Sequence, residues 1–220
     1  FGRPGNGFEG DQAQMNRPLR IAAGIVGVGA AFALGCVPSA ELVARLYGRG
    51  PIVALGNGNP GAANVRRTLG MPAALLVGAL DVSKGWLPTR MAKKLGAPDS
   101  IAGPMAMAPV AAHILVVGGK GAAAAVGAAS AFDPLAMVIA GAGIVWGSIK
   151  RRHAPAVMAG GFAYPTIQWL LGRPREHVLW SSGIIALLVG GRLKGPRRGA
   201  KSLSGRVLWE RLWFDREPVD

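Results

Sequence analysis

The chain has 220 residues, 50% apolar, 16% charged and 6% aromatic, with 34 glycines, one cysteine and a mean hydropathy of +0.32. That balance excludes a disordered chain and a disulfide scaffold, and leaves too little charge to cover a soluble protein of this size. Lys and Arg number 25 against 11 Asp and Glu, a net charge of +14, but the basic clusters lack the interleaved aromatics that stack bases, so no nucleic acid is expected as a partner.

The class that remains is an all-α polytopic membrane protein whose basic loops face anionic lipid headgroups. A crossing helix needs about 20 apolar residues. Residues 1–18, rich in Gly, Asn and Asp toward their start, read as a mobile tail. Arg17 and Arg20 ahead of the apolar stretch 21–34, with Leu34, Gly35 and Cys36 after it, resemble a signal sequence with a lipoprotein cleavage site. Residue 33 is alanine where leucine usually stands, and much more apolar sequence follows, so a retained first helix is expected.

Apolar runs at 19–47, 69–92, 101–117, 120–132, 134–149, 154–171 and 178–193 predict about seven spans within a transmembrane domain covering 19–193. The first is long enough to cross and continue into an amphipathic extension holding Glu41 and Arg45. Residues 122–131 are short enough to form only a half-helix, and Asp133-Pro134 marks a turn. Spaced small residues such as Gly143 and Gly147 fit close helix packing in lipid. Residues 194–220 form a basic tail in which Leu208, Trp209, Leu212 and Trp213 fall at helical spacing, suiting an interfacial helix. With seven spans, sixteen Lys and Arg fall on the side of the C-terminus and eight on the other. The excess predicts a cytoplasmic C-terminus and an external N-terminus, although the cluster at 90–94 runs the other way.

Chemistry concentrates in four segments. Gly56-Asn-Gly-Asn-Pro-Gly-Ala-Ala-Asn-Val-Arg-Arg-Thr-Leu-Gly70 holds a GxGxxG pattern with neither the strand nor the βαβ unit that dinucleotide binding requires. Its glycines and asparagines can wrap an anion, and Asn64, Arg66 and Arg67 open the following helical segment, where amides and guanidinium groups favour phosphate. A plain loop obeying the positive-inside rule fits equally well.

Gly118, Gly119, Lys120 and Gly121 fail as a nucleotide P-loop, because Ile114 and Gly121 occupy the required Gly and Ser or Thr positions. A glycine-flanked lysine between two membrane runs is still a point charge for phosphate. His113 lies just upstream in an apolar run, as a buried hydrogen-bonding residue or a functional one. Asp81 and Lys84 share one helical face, as a structural pair or facing a substrate. Cys36 reads as a packing residue, a nucleophile only if nearby cations lower its pKa. No metal-ligand spacing and no Ser-His-Asp set is apparent.

From about residue 35 to 127, the order of these segments resembles the bacterial acyl-phosphate:glycerol-3-phosphate acyltransferase family. The stretch around Cys36, Pro38, Ser39 and Arg45 is similar to its first motif, and 56–70 to its second. Asp81-Val-Ser-Lys-Gly-Trp-Leu-Pro88 is similar to the sequence that follows the second motif, and His113 with 118–121 to the third. The resemblance implies a seven-span helical fold in the bacterial inner membrane. It also implies acyl transfer from acyl phosphate to the 1-hydroxyl of glycerol 3-phosphate, giving lysophosphatidate and phosphate with neither metal nor nucleotide. On it, Gly58, Asn59, Gly61, Asn64, Arg67, Gly118 and Gly119 bind phosphate, and Arg45 and Lys120 add charge. His113 positions a group or moves a proton, and Cys36, Ser39, Asp81 and Lys84 support the site.

The chain departs from the family pattern at several places. Cys36 replaces a serine, while Asn57 and Ala63 replace a serine and a threonine. The stretch between His113 and Gly118 is about five residues short. Pro155, Ala156, Val157 and Met158 stand where paired serines are expected, and residues 190–195 lack the family's His-x-x-Asn. The alternatives are a catalytically inactive relative that binds lipid or phosphate esters, or an anion transporter, the latter without a visible inverted repeat.

Overall fold

The computed structural model describes residues 17–150, 152–194 and 204–214, and among these every regular element is helical. Residues 1–16 of the expected tail at 1–18 and most of the one at 194–220 lie outside them, while Arg17 and Pro18 begin the first helix. In chain order the elements are α1 Arg17–Gly35, α2 Ser39–Leu46, a 3-10 turn Ile52–Ala54, α3 Ala62–Leu69, α4 Met71–Lys94 and α5 Asp99–Ala112, which continues as a π-helical turn His113–Val117. Then come α6 Ala122–Phe132, α7 Pro134–Ile149, α8 His153–Leu170, α9 Arg175–Leu193, and α10 Gly205–Trp209 with a π turn Glu210–Phe214.

The apolar runs become helices with bounds close to those expected, with one difference. The run at 19–47 is broken: α1 ends at Gly35 and α2 restarts at Ser39, because Pro38 has no amide to continue the ladder. Asn64, Arg66 and Arg67 fall in a helical segment after the loop, as expected. They form the separate helix α3, ended by Gly70 at φ 92°, a backbone region that favours glycine.

Leu19–Leu46 and Asp99–Val117 are each long and apolar enough to cross a bilayer, with shorter apolar helices at Ala122–Phe132 and Pro134–Gly147. α4 runs about 36 Å and α6 only about 16 Å, half of a hydrocarbon core, at 1.5 Å per residue. Outward faces carry Ile25, Leu75, Val138 and Leu179, all exposed, as lipid would permit.

α1 packs on α5, where Gly24 and Gly27 meet Ile101 and Met105. α4 lies between α5 and α6, and α9 between α5 and α8. At the α4–α6 crossing a Cβ on Gly85 would strike the Ala124 carbonyl, and one on Gly127 the Val82 carbonyl, so the backbones touch only because both residues are glycine. Short links make consecutive long helices antiparallel and sort the turns to two ends. Residues 36–70, 118–121 and the α7–α8 and α9 C-terminal turns share one end; 95–98, Asp133 and 171–174 share the other.

At that second end Arg173 makes a fork to Asp133, Nε at 2.8 Å from Oδ2 and Nη2 at 3.2 Å from Oδ1. His177 Nε2 stands 2.9 Å from Asp99 Oδ2, with Lys93 3.6 Å from the same carboxylate. In the C-terminal segment α10 and its π turn form a short helix. Arg192 donates to the Leu212 carbonyl at 2.9 Å, Arg211 donates to the Leu193 carbonyl, and Trp213 lies near Phe162.

Candidate active site

The glycine- and asparagine-rich loop is built around one side chain. Asn64, fully buried on α3, accepts from the Asn57 amide at 3.1 Å through Oδ1 and donates through Nδ2 to the carbonyls of Leu55 at 2.9 Å and Ile52 at 3.4 Å. Asn57 Oδ1 accepts from the Asn59 amide at 3.2 Å, the Gly58 amide bonds to the Leu55 carbonyl, and the Gly61 amide to the Asn59 carbonyl. The loop amides at 57, 58, 59 and 61 are thus engaged within the loop, whereas the sequence suggested that they wrap an anion. The same polar groups that let the segment turn also close it. Arg66 and Arg67 are exposed on α3.

A second acceptor fixes the loop from outside. Glu41 on α2 accepts the Ile52 amide at 3.0 Å through Oε2, while its Oε1 receives Arg45 Nε at 3.3 Å. Sequence reasoning saw Glu41 only as part of an amphipathic extension. Its signal was an acidic residue in a segment otherwise selected for positive charge. Val43, Ala44, Ile52, Val65, Ala73 and Val77 close an apolar core beneath, joining α2, the loop, α3 and α4.

Deeper in the bundle Asp81 and Lys84 pair at 2.6 Å, both with side chains 3% exposed. Lys84 Nζ also donates to the Val37 carbonyl at 2.6 Å, in the break between α1 and α2. One cation thereby satisfies a carboxylate and an orphan helix-end carbonyl. Asp81 Oδ1 lies 3.8 Å from His113 Nδ1, beyond hydrogen-bond length, and that nitrogen has no hydrogen-bond partner. Asp81 stands ten residues into α4, so His113 is recessed well inside the bundle.

Each glycine of the 118–121 turn has a reason to be glycine. Gly118 (φ 79°) and Gly121 (φ 71°) sit in the left-handed region, and a Cβ on Gly119 would strike His113 Nε2. The Gly119 amide returns to the His113 carbonyl at 3.1 Å, and Lys120 is half-buried in this turn. Ser39 is buried at the start of α2 with its Oγ unpartnered, and Cys36 is a half-buried thiol.

The structure therefore gathers the sequence-selected residues into two sets. Asp81, Lys84, His113 and Gly119 make one, and Gly58, Asn59, Gly61 and Asn64 the other. Helix α2, with Ser39 and Arg45, and the break before it join them, through Glu41 on one side and the Val37 carbonyl on the other. Two buried polar atoms without partners, Ser39 Oγ and His113 Nδ1, lie in this region, as a site awaiting a polar ligand would have.

Comparisons with known proteins agree with this architecture. A family model described as glycerol-3-phosphate acyltransferase matches residues 25–195. The glycerol-3-phosphate acyltransferase of Dechloromonas aromatica is 33% identical over 70% of this chain and 79% of its own length. That of Thermus thermophilus is 35% identical over 72% and 80%. Among solved structures, PlsY, an integral membrane glycerol 3-phosphate acyltransferase, superposes in its glycerol 3-phosphate form with a TM-score of 0.75. The match covers 89% of this chain and 94% of that one at 27% identity. Its lysophosphatidic acid form gives 0.70 over 77% and 88%. By sequence, by helical architecture and by the order of its motifs, the chain belongs to the glycerol-3-phosphate acyltransferase family.

Proposed function

We propose that the protein transfers a fatty acyl group from acyl phosphate to the 1-hydroxyl of glycerol 3-phosphate at the cytoplasmic face of a bacterial inner membrane. The observation that carries this is the family match over most of the chain, together with similarity to an enzyme solved in a glycerol 3-phosphate form. The hydroxyl oxygen attacks the acyl carbonyl carbon, the bond to the phosphate oxygen breaks, and lysophosphatidate and inorganic phosphate leave. Acyl phosphate is already activated, so holding it beside the hydroxyl supplies much of the rate.

In this reading the loop closed by Asn64, with Gly58, Asn59 and Gly61, is a rigid frame that presents Arg67. Arg45 and Lys120 add charge for the two phosphates. Gly118 and Gly119 let Lys120 and His113 approach the same ligand, and His113 positions the hydroxyl or takes its proton. Cys36 and Ser39 line the approach, and the Asp81–Lys84 pair holds their backbone. The chain crosses the membrane seven times with its N-terminus outside, and membrane lipids surround the apolar faces. The scheme calls for no metal or nucleotide.

The test is purified protein with acyl phosphate and labelled glycerol 3-phosphate. Lysophosphatidate is expected from the parent chain, with kcat/KM lowered about 10²-fold or more in Arg67→Ala and Lys120→Ala, as for loss of a charged contact to a transferring group. Saturable binding of glycerol 3-phosphate without product identifies an inactive relative, and flux of the ester into sealed vesicles identifies a transporter.

A further inference from the structure

Helices α1 and α5 meet closely at one end and stand apart at the other. At Gly35 a Cβ would strike the Pro109 backbone, so the two main chains touch there. At Gly24 and Gly27 the nearest atoms belong only to the side chains of Ile101 and Met105. The gap left by this divergence is a groove of about 510 Å³, within the range that small ligands fill. Its walls are Ile21, Ile25 and Val28 on α1 and Ile101 and Pro104 on α5, while Arg20 and Ser100 stand at its mouth beside the 95–98 turn. From Arg20 to Val28 α1 rises about 12 Å, most of the ~15 Å of hydrocarbon in one leaflet. Ile21 and Ile25 remain exposed along this depth. Arg20 is exposed too, and among the described residues no carboxylate pairs with it. Asp99, next to Ser100 in sequence, is taken up by Lys93 at 3.6 Å and stands 2.9 Å from His177 Nε2.

We propose that this groove holds a phospholipid of the adjoining leaflet, with one acyl chain between α1 and α5 and the phosphate at Arg20 and Ser100. Three features together name the occupant. The walls are apolar, the depth is that of a single leaflet, and the mouth carries a guanidinium, which matches a phosphate in charge and in geometry. The stem of Arg20 lies along the apolar wall while its head reaches the headgroup level. The groove opens at the end of the bundle opposite Arg67 and Lys120, so it is separate from the proposed substrate site. In the orientation proposed above the leaflet is the outer one. A lipid seated there fills the gap and fastens the first turns of α1, the helix that leads into the break where the Val37 carbonyl meets Lys84. The proposal needs a chain that spans a membrane and does not need acyl transfer, so a protein that transfers no acyl group still tests it.

The full chain is reconstituted in vesicles of phosphatidylcholine with a minor fraction of phosphatidylglycerol that carries a diazirine midway along one acyl chain. After photolysis the labelled residues are mapped by mass spectrometry, and labels concentrated at Ile25, Val28 and Ile101 support the site. Native mass spectrometry of the extracted protein then follows retained phosphatidylglycerol. Arg20→Gln is expected to need about tenfold more of it for the same occupancy, the scale of one hydrogen bond to a charged group. Ile21→Trp fills the mouth and removes retention, whereas Val138→Trp, on an exposed face of α7, leaves it as in the parent. Where Ile21→Trp lowers the unfolding midpoint, Arg20→Gln, a change at an exposed side chain, decides alone. Labels spread evenly over exposed faces such as those of Val138 and Ile149, with equal retention in Arg20→Gln and the parent, indicate bulk lipid only and overturn the proposal. An unlabelled groove, with Ile25→p-benzoylphenylalanine cross-linking to residues 1–16 or to a second copy of the chain, assigns it to that occupant and overturns the proposal equally.

Discussion

Lys84 is the side chain on which the most local structure depends. A lone ammonium inside an apolar bundle is costly, and it is retained here because two acceptors at 2.6 Å replace its water. One acceptor is a carboxylate one turn away on the same helix. The other is the Val37 carbonyl, 47 residues distant, which belongs to the break that starts α2. Lys84→Met therefore does two things at once: it strands the Asp81 charge and releases the backbone beside Cys36 and Ser39. Removing one partner of a buried pair costs about 3–5 kcal/mol, whereas replacing both by apolar groups of similar volume is far milder. The expected result, read from thermal unfolding in detergent, is a large loss of stability in Lys84→Met. In the double variant Asp81→Leu/Lys84→Met most of that loss is recovered, while acyl transfer stays impaired in both because Val37 has lost its donor. Equal stability of the single and double variants contradicts the coupling. The pair was legible as a pair from its spacing alone. Its third partner was not, because a carbonyl carries no mark in a sequence.

Among elements, the contacts that matter most are those between backbones. At the α4–α6 crossing Gly127 faces the Val82 carbonyl, so Gly127→Val forces two helix backbones apart. Overpacking of this kind costs about 1–3 kcal/mol or more, and Gly143→Ala, where an added methyl meets nothing within 4 Å, is the comparison that leaves the unfolding midpoint unchanged. At the far end the fork from Arg173 to Asp133 ties the α8–α9 turn to the α6–α7 turn. Burial raises the Asp133 carboxyl's pKa, but the Arg173 hydrogen bond, the Ala136 amide and the Arg173 charge together outweigh it and hold the carboxyl below its ordinary value. A folded-state pKa below the unfolded one contributes stability that is complete above the unfolded value of about 3.9 and disappears as pH falls through the folded one. Arg173→Gln is therefore expected to lower the unfolding midpoint at neutral pH, with the difference from the parent closing below about pH 4. A constant difference across that range removes the clamp. Helix bounds were largely legible because apolar periodicity is a local property. The restart at Ser39 and the separate helix α3 were less so, since Lys84 and Glu41 secure them from other parts of the chain. Likewise the motif order made the family legible, whereas the inward engagement of the loop amides depended on where Asn64 packs.

At the scale of the molecule, the two ends of the bundle differ in what they can contact. One end carries the loop, Arg45, Arg66, Arg67 and Lys120; the other carries the Asp133–Arg173 ion pair and the close contact between His177 and Asp99. The proposed orientation sets the first end against the anionic cytoplasmic leaflet; at the other end Lys93 pairs with Asp99 and Arg173 with Asp133, while Arg90 and Lys94 run against it. The proposed substrates require the same. Phosphate esters do not cross hydrocarbon unaided, so an enzyme using them must open its site toward the compartment that supplies them. The chain's only cysteine makes the orientation directly measurable. In a Cys36→Ser background, Leu95→Cys and Leu46→Cys place thiols at opposite ends, at positions 81% and 78% exposed. In sealed right-side-out vesicles an impermeant maleimide is expected to label position 95 at once and position 46 only after permeabilisation. The reverse pattern places the site outside the cell and leaves its phosphate ligands without a route to it. Labelling of both positions without permeabilisation is incompatible with a chain that crosses the bilayer between them, and with the lipid-facing role given to the exposed leucines and valines of α4 and α7.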